Sequence, residues 1–240
     1  MRLVGVGVGP GDPELVTVKA VRELQSAPLV VVPVMDLAVE GRAEAIVRVH
    51  AGHQRVRRLV FALDDRGGAT RARQEAWGAA ATAVAAALRE HHHVAFATLG
   101  DPNVYSTFTY LADAVRELLP EVELSTVAGI TAMQDLASRS GTVLCEGTES
   151  LALLPMTAGL DSFDRALTAC DSVVAYKGGR QLAGIRELLA RRGRLGTAVY
   201  GAALGLEGER LGPMAQAPDE APYLSTVIVP ALRTSRGGKL

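Results

Sequence analysis

Short runs of β-branched and other apolar residues alternate with longer amphipathic stretches along almost the whole chain, and no other feature narrows the fold so far. That rhythm is expected of layered α/β folds with mainly parallel strands. It predicts strands at residues 2–8, 29–32 (stopped by Pro33), 55–61, 94–98 and 122–126. Helices are expected at 17–25 with Thr17 as N-cap, at 40–49, at the Ala-rich segment 71–90, and at 107–119, ending at Pro120. Beyond Val127-Ala128-Gly129 the rhythm restarts, with strands near 151–154, 172–175, 197–200 and 223–229. The economical arrangement is two α/β lobes, residues 1–126 and 127–240, sharing a ligand cleft, with a frayed and solvated tail at 234–240.

Composition sets the outer limits. At 240 residues and 48% hydrophobic, the chain can bury one large core or two modest ones. A net charge of -1 removes any bulk attraction to nucleic acid or to a membrane, so a charged ligand must meet a local patch. The apolar N-terminus is broken by glycines and too short for a signal or spanning segment, which suits a cytoplasmic protein. Cys145 and Cys170 belong to no CxxC pattern and are expected to be semi-buried, neither disulfide-bonded nor metal-bound. His91, His92 and His93 are consecutive, so their side chains diverge; a solvated helix C-terminus is expected there and no metal site. Trp77 is expected to pack rather than to stack on a ligand.

Three small-residue loops follow predicted strands, where open α/β sheets place ligands. The first carries Gly5, Gly7, Gly9 and Gly11 and continues through Pro10-Gly11-Asp12-Pro13 before its helix begins. A dinucleotide fold opens its helix inside the glycine motif, so this order argues against a phosphate clamp and makes Asp36 a surface loop residue rather than a ribose ligand. The second loop is Leu99-Gly100-Asp101-Pro102-Asn103-Val104-Tyr105-Ser106, where Gly100 permits close backbone approach and Asp101 is either a local cap or a ligand group. The third is Gly129-Ile130-Thr131-Ala132.

Together VGVGPGD, LGDP, AGITA and AYKGGR, in this order and spacing, resemble the tetrapyrrole methylase family. Within it GDPNVYSTFTYL, YKGGR and VYGAALGLEGE resemble the branch that methylates precorrin-2 at C-20, whereas uroporphyrinogen-III methylases usually carry GGDPFVFGRG and Tyr-Met-Gly. Two positions depart from that branch: His91-His92-His93 replaces a Gly-containing turn, and Ala128 a proline. The resemblance implies two α/β lobes, a homodimer, and S-adenosylmethionine held in the cleft between lobes. By motif, Pro10, Leu99, Gly100, Asp101, Val104, Thr131 and Ala132 would touch the cofactor, with Lys177, Ala203 and Thr226 in the second lobe. Lys177, Arg180 and Arg139 would meet the carboxylates of the tetrapyrrole substrate.

The implied chemistry is displacement at a sulfonium methyl by an electron-rich ring carbon, which needs alignment and water exclusion rather than a protein nucleophile. A proton must then leave C-20, and Asp12, Tyr105 and Lys177 are the candidate groups. Two other classes stay open at this point. An NAD(P)-dependent oxidoreductase would use the first glycine loop, and a non-catalytic regulatory protein would merely bind an anion.

Overall fold

The computed structural model describes residues 1–52, 55–61 and 70–234; of the tail expected at 234–240, residues 235–240 lie outside the described residues. The chain divides into two compact units, Met1–Thr131 and Ala132–Leu240. The first contains β1 (Arg2–Gly7), α1 (Val18–Ser26), β2 (Leu29–Val34), α2 (Arg42–His50), β3 (Val56–Val60), α3 (Arg71–His91), β4 (His93–Thr98), α4 (Phe108–Leu118) and β5 (Glu123–Val127). Its sheet runs β3-β2-β4-β1-β5 with every pair parallel. The central strands are buried on both faces, and the core is correspondingly double. Val4, Val6, Val30 and Val32 pack with Ile46 and Val47 of α2 on one face, and Leu3, Val31 and Phe96 pack with Val84, Leu88 and Leu111 of α3 and α4 on the other.

Local chemistry explains the element ends. Thr17 caps α1 by accepting the Ala20 N–H at 3.2 Å. β2 runs through Pro33 to Val34 rather than stopping before it: its ladder to β4 ends at Val31, and only the pairing with β3 continues past the proline. His92 takes the left-handed C-cap of α3, at φ 59°, the position a glycine usually fills. His93 is not solvated as expected, because its Nε2 lies 2.7 Å from the buried carboxylate of Glu23, which Arg2 also contacts at 3.1 Å. Trp77 stacks on Tyr110 with centroids 4.5 Å apart.

The second unit contains α5 (Ala132–Ser140), β6 (Leu151–Pro155), α6 (Leu160–Ala169), β7 (Ser172–Tyr176), α7 (Leu182–Arg191), β8 (Val199–Ala202), β9 (Arg210–Pro213) and β10 (Ser225–Val229). The expectation of mainly parallel strands fails here. Only β6–β7 is parallel, since β8 and β9 form a hairpin and β10 returns antiparallel between β7 and β8, giving β6-β7-β10-β8-β9. α6 and α7 cover one face through Phe163, Leu182 and Ile185, and α5 covers the other through Leu136. Cys170 is partly buried, but Cys145 is exposed, contrary to expectation, and both are free. No described helix is long and apolar enough to cross a membrane, and the described residues contain no cluster of three or more potential metal ligands.

Candidate functional site

In the first unit the loops after β1, β4 and β5 leave the same edge of the sheet and are joined main chain to main chain. Gly100 N–H donates to Gly9 O at 2.7 Å, and Val8 N–H to Thr98 O at 2.9 Å. Beside them Gly7 and Gly129 lie in contact. A Cβ on Gly7 would stand 2.6 Å from Gly129 N, and one on Gly129 would stand 2.0 Å from Gly100 O. These two glycines are therefore required by space. Gly100 differs, because a Cβ there would meet nothing nearer than Thr131 Cα at 4.0 Å, and its constraint is a φ of +66°.

Asp101 fastens the junction. Its Oδ1 accepts the Asn103 N–H at 2.8 Å, the local turn expected of Gly-Asp-Pro, while Oδ2 accepts the Gly129 N–H at 3.0 Å and so ties the second loop to the third. Thr17 Oγ1 donates to Ala128 O at 3.4 Å, adding a contact from the start of α1 where a proline would have stiffened the loop. Pro10 and Thr131 are buried at this junction, and Leu99, Gly100 and Val104 are half-buried. Val104 N–H donates to Asp101 O at 3.2 Å, and Ala132 opens α5 at the start of the second unit.

Asp12 and Tyr105 flank these loops. Asp12 Oδ1 accepts the Glu14 N–H at 2.8 Å, capping the 3-10 turn Pro13–Leu15. His50 Nε2 lies 2.8 Å from Pro13 O and holds that turn against α2. Tyr105 sits at a left-handed φ of 51° and is 43% exposed, and desolvation pushes its phenol above the usual range. It therefore stays protonated at neutral pH and can donate a hydrogen bond but not act as a base. Asp36, on the loop after β2, accepts the Ala38 N–H at 2.8 Å in a tight turn, as a surface loop residue would.

In the second unit Lys177, Ala203 and Thr226 come together at one end of the sheet. Thr226 of β10 pairs with Tyr176 on one side and with Gly201 on the other. Just past these partners, Lys177 and Ala203 both take left-handed φ angles, 62° and 51°, and donate their N–H groups to Ser225 O and Leu224 O. Such angles are unusual for non-glycine residues and cluster at ligand sites. The Lys177 ammonium lies 5.5 Å from the centre of the Tyr223 ring, a cation–π distance. Arg180 is exposed. Arg139 makes hydrogen bonds to both carboxylate oxygens of Glu209, which also accepts the Gly205 N–H, so it ties α5 to the loop after β8.

The roles of two side chains were not foreseen, although Tyr176 lies in the AYKGGR motif and Tyr223 opens the strand expected at 223–229. Tyr176 accepts the Met133 N–H through its hydroxyl and orders the first turn of α5; Tyr223 supports Lys177. Gly7 did carry a signal, since a glycine inside a strand often marks close approach of another backbone.

The profile of the Tetrapyrrole (Corrin/Porphyrin) Methylases matches residues 2–216. The chain is 35% identical over 236 residues to a precorrin-2 C(20)-methyltransferase from a Sinorhizobium species, covering 95% of both chains. It is 33% identical over 233 residues to the cobalt-precorrin-2 C(20)-methyltransferase of Salmonella typhimurium, again covering 95% of each. In fold it is similar to the uroporphyrin-III C-methyltransferase of Thermus thermophilus solved with S-adenosylhomocysteine, with a TM-score of 0.63, 22% identity, and coverage of 95% of this chain and 97% of that one.

Proposed function

The chain belongs to the tetrapyrrole methylase family, and from that premise we propose that it transfers a methyl group from S-adenosylmethionine to C-20 of precorrin-2 or its cobalt form in cobalamin biosynthesis. The observation that carries this reading is likeness over nearly the full length to two enzymes named for that carbon. The strand-end loops agree with it. A cofactor at the first-unit loops would be read largely by main chain at Pro10, Leu99, Gly100 and Val104, with Asp101 holding the loops rather than reaching for the ligand. Thr131 and Ala132 complete this set of contacts, and Lys177, Ala203 and Thr226 form the corresponding group in the second unit.

When bound, S-adenosylmethionine would supply an electrophilic methyl group to the electron-rich C-20 and leave as S-adenosylhomocysteine, so no protein nucleophile is needed. The chain's residues align the partners and exclude water. Lys177 and Arg180 meet substrate carboxylates. Of the three candidate groups for the C-20 proton, Tyr105 holds its own proton, and Asp12 and Lys177 remain. The enzyme works as a cytoplasmic homodimer in this reading, and sedimentation of the purified chain tests the dimer.

The test of function is incubation with precorrin-2 and methyl-labelled S-adenosylmethionine, with the label located by carbon NMR. Label at C-20 supports the reading, and label at C-2, C-7 or C-17 overturns it. Initial rates on metal-free and cobalt-containing substrate decide between the two forms. Calorimetry with S-adenosylhomocysteine and NADPH side by side should give heat for the first alone, since a dinucleotide oxidoreductase would show the reverse.

A further inference from the structure

The loop that joins β8 to β9, Ala203 to Glu209, is tied down at both ends. At its start Ala203 takes a φ of 51°, a left-handed angle that is costly for a residue with a Cβ and persists only where the surroundings impose it. Its N–H donates to Leu224 O at 2.9 Å, and its carbonyl accepts the Leu206 N–H at 2.9 Å. Leu204 is buried with Leu136 of α5. The two side chains meet over Gly201, where an added Cβ would stand 2.8 Å from Leu204 and 3.0 Å from Leu136.

At its end the Glu209 N–H donates to Leu206 O at 3.1 Å, and the Glu209 carboxylate turns back over the loop's own main chain. Its Oε2 accepts the Gly205 N–H at 2.6 Å, and its two oxygens take the two terminal nitrogens of Arg139 at 2.6 and 2.5 Å. A two-pronged pair of this kind fixes direction as well as distance. The Arg139 hydrogen bonds hold the Glu209 carboxyl below the usual carboxylate range against the opposing effect of burial, so the pair is charged at neutral pH. One turn back on α5, the carboxylate of buried Asp135 stands 3.8 Å from the same guanidinium. Arg139 is thus committed to two carboxylates of its own chain, one on its helix and one on the loop.

We infer that Arg139 and Glu209 are positioning residues for the cofactor, and that their ion pair seats the loop after β8 so that the Ala203 main chain keeps its left-handed conformation. This rests on the functional reading above, which places Ala203 among the cofactor contacts. It also gives Arg139 a different task from meeting substrate carboxylates. A matched pair supplies the comparison. Arg192 grips both oxygens of Asp164 at 2.8 and 2.6 Å with side chains of similar exposure, 44% and 33% against 36% and 28%, but it joins α6 to the end of α7 rather than to a strand-end loop.

The experiment compares the wild-type chain with Glu209→Gln, Arg139→Met, the double variant and the control Arg192→Met. S-adenosylhomocysteine is titrated by calorimetry, uroporphyrin, a stable polycarboxylate macrocycle, by fluorescence, and stability is read by thermal melts. Each single change at the pair should weaken S-adenosylhomocysteine binding about five- to tenfold, and the double variant should lose no more than either, because one interaction is removed in all three. Uroporphyrin affinity should stay within about twofold, and Arg192→Met should lower the melting temperature comparably while leaving S-adenosylhomocysteine affinity within about twofold. S-adenosylhomocysteine affinity like wild type in both pair variants overturns the inference, and so does a double loss equal to the product of the single ones. An equal loss in Arg192→Met would make the effect one of general stability, and a loss of uroporphyrin alone in Arg139→Met would make that residue a substrate contact; either result also overturns it. If the wild type binds S-adenosylhomocysteine in this way yet methylates no precorrin, the positioning role stands and the reaction falls; if it binds none, both fall. Should Arg139→Met fail to fold, because Asp135 beside it is buried, Arg139→Lys keeps the charge without the two-pronged grip and is read in its place.

Discussion

Gly129→Ala is the sharpest perturbation of the loop junction. The added Cβ would stand 2.0 Å from Gly100 O and 2.8 Å from Gly7 Cα, against an ordinary non-bonded separation of roughly 3.5 Å. Both atoms belong to main chain, so no side chain can swing aside, and the loops must part by roughly 1.5 Å. Displacement of about 1 Å in a positioned site costs on the order of a hundredfold, which at about 1.4 kcal/mol per tenfold is about 2.7 kcal/mol. Gly100→Ala is the matched control. Its Cβ has room, so the cost is the left-handed strain of about 1–2 kcal/mol, carried by stability more than by affinity. Calorimetric titration with S-adenosylhomocysteine should therefore show affinity lowered about a hundredfold in Gly129→Ala and only a few-fold in Gly100→Ala, while thermal unfolding of Gly100→Ala falls by roughly 2–8 °C. Near wild-type affinity in folded Gly129→Ala, or equal losses in the two variants, would refute the idea that the junction's close approach builds the cofactor site.

Asp101→Ala strands the Gly129 and Asn103 N–H groups and should weaken S-adenosylhomocysteine binding about tenfold, with a smaller change in uroporphyrin affinity; equal losses would show a general collapse of the loops. Lys177→Met should raise KM for the tetrapyrrole several-fold at low salt with kcat nearly unchanged, and the difference should shrink as salt is added; a salt-independent effect would count against a carboxylate contact. Burial pushes the Glu44 carboxyl up, but hydrogen bonds from Arg58, Arg48 and Gly41 outweigh it and hold the group below the usual carboxylate range. A depressed folded pKa means that Glu44 contributes stability above the unfolded value and loses it as pH falls through the folded one. Glu44→Gln should thus destabilise by about 2 kcal/mol at pH 7 and by progressively less below about pH 4 in denaturant melts, and a deficit independent of pH would contradict this.

The first unit was largely legible because its central strands are buried on both faces and read as continuous apolar runs, with polar caps such as Thr17 marking helix starts. The second sheet was harder. Strand direction is not written in apolar content, and β9 is mostly exposed, so nothing in Arg210–Pro213 announced a hairpin partner for β8. At the site, spacing placed the loops but could not say which contacts hold them. Asp101 looked like a ligand group or a local cap and is also a cross-loop tie; Arg139 looked available to a carboxylate and is engaged by Glu209. Those outcomes depend on residues far along the chain, Gly129 and Glu209, which no local window connects.

The strand order of the second unit sets a timetable for its assembly. β10, the central strand of β6-β7-β10-β8-β9, is the last of the five in the chain. During synthesis, at about 5–20 residues per second, the β6–β7 pair and the β8–β9 hairpin emerge as separate halves, each presenting an open edge to whatever is nearby. Only Ser225–Val229 joins them, bringing Val227, Ile228 and Val229 into both faces of the core at once. Nascent chains stalled before this strand are therefore the species most exposed to mispairing, and a lesion in these five residues acts on the yield of folded protein before it touches a ligand.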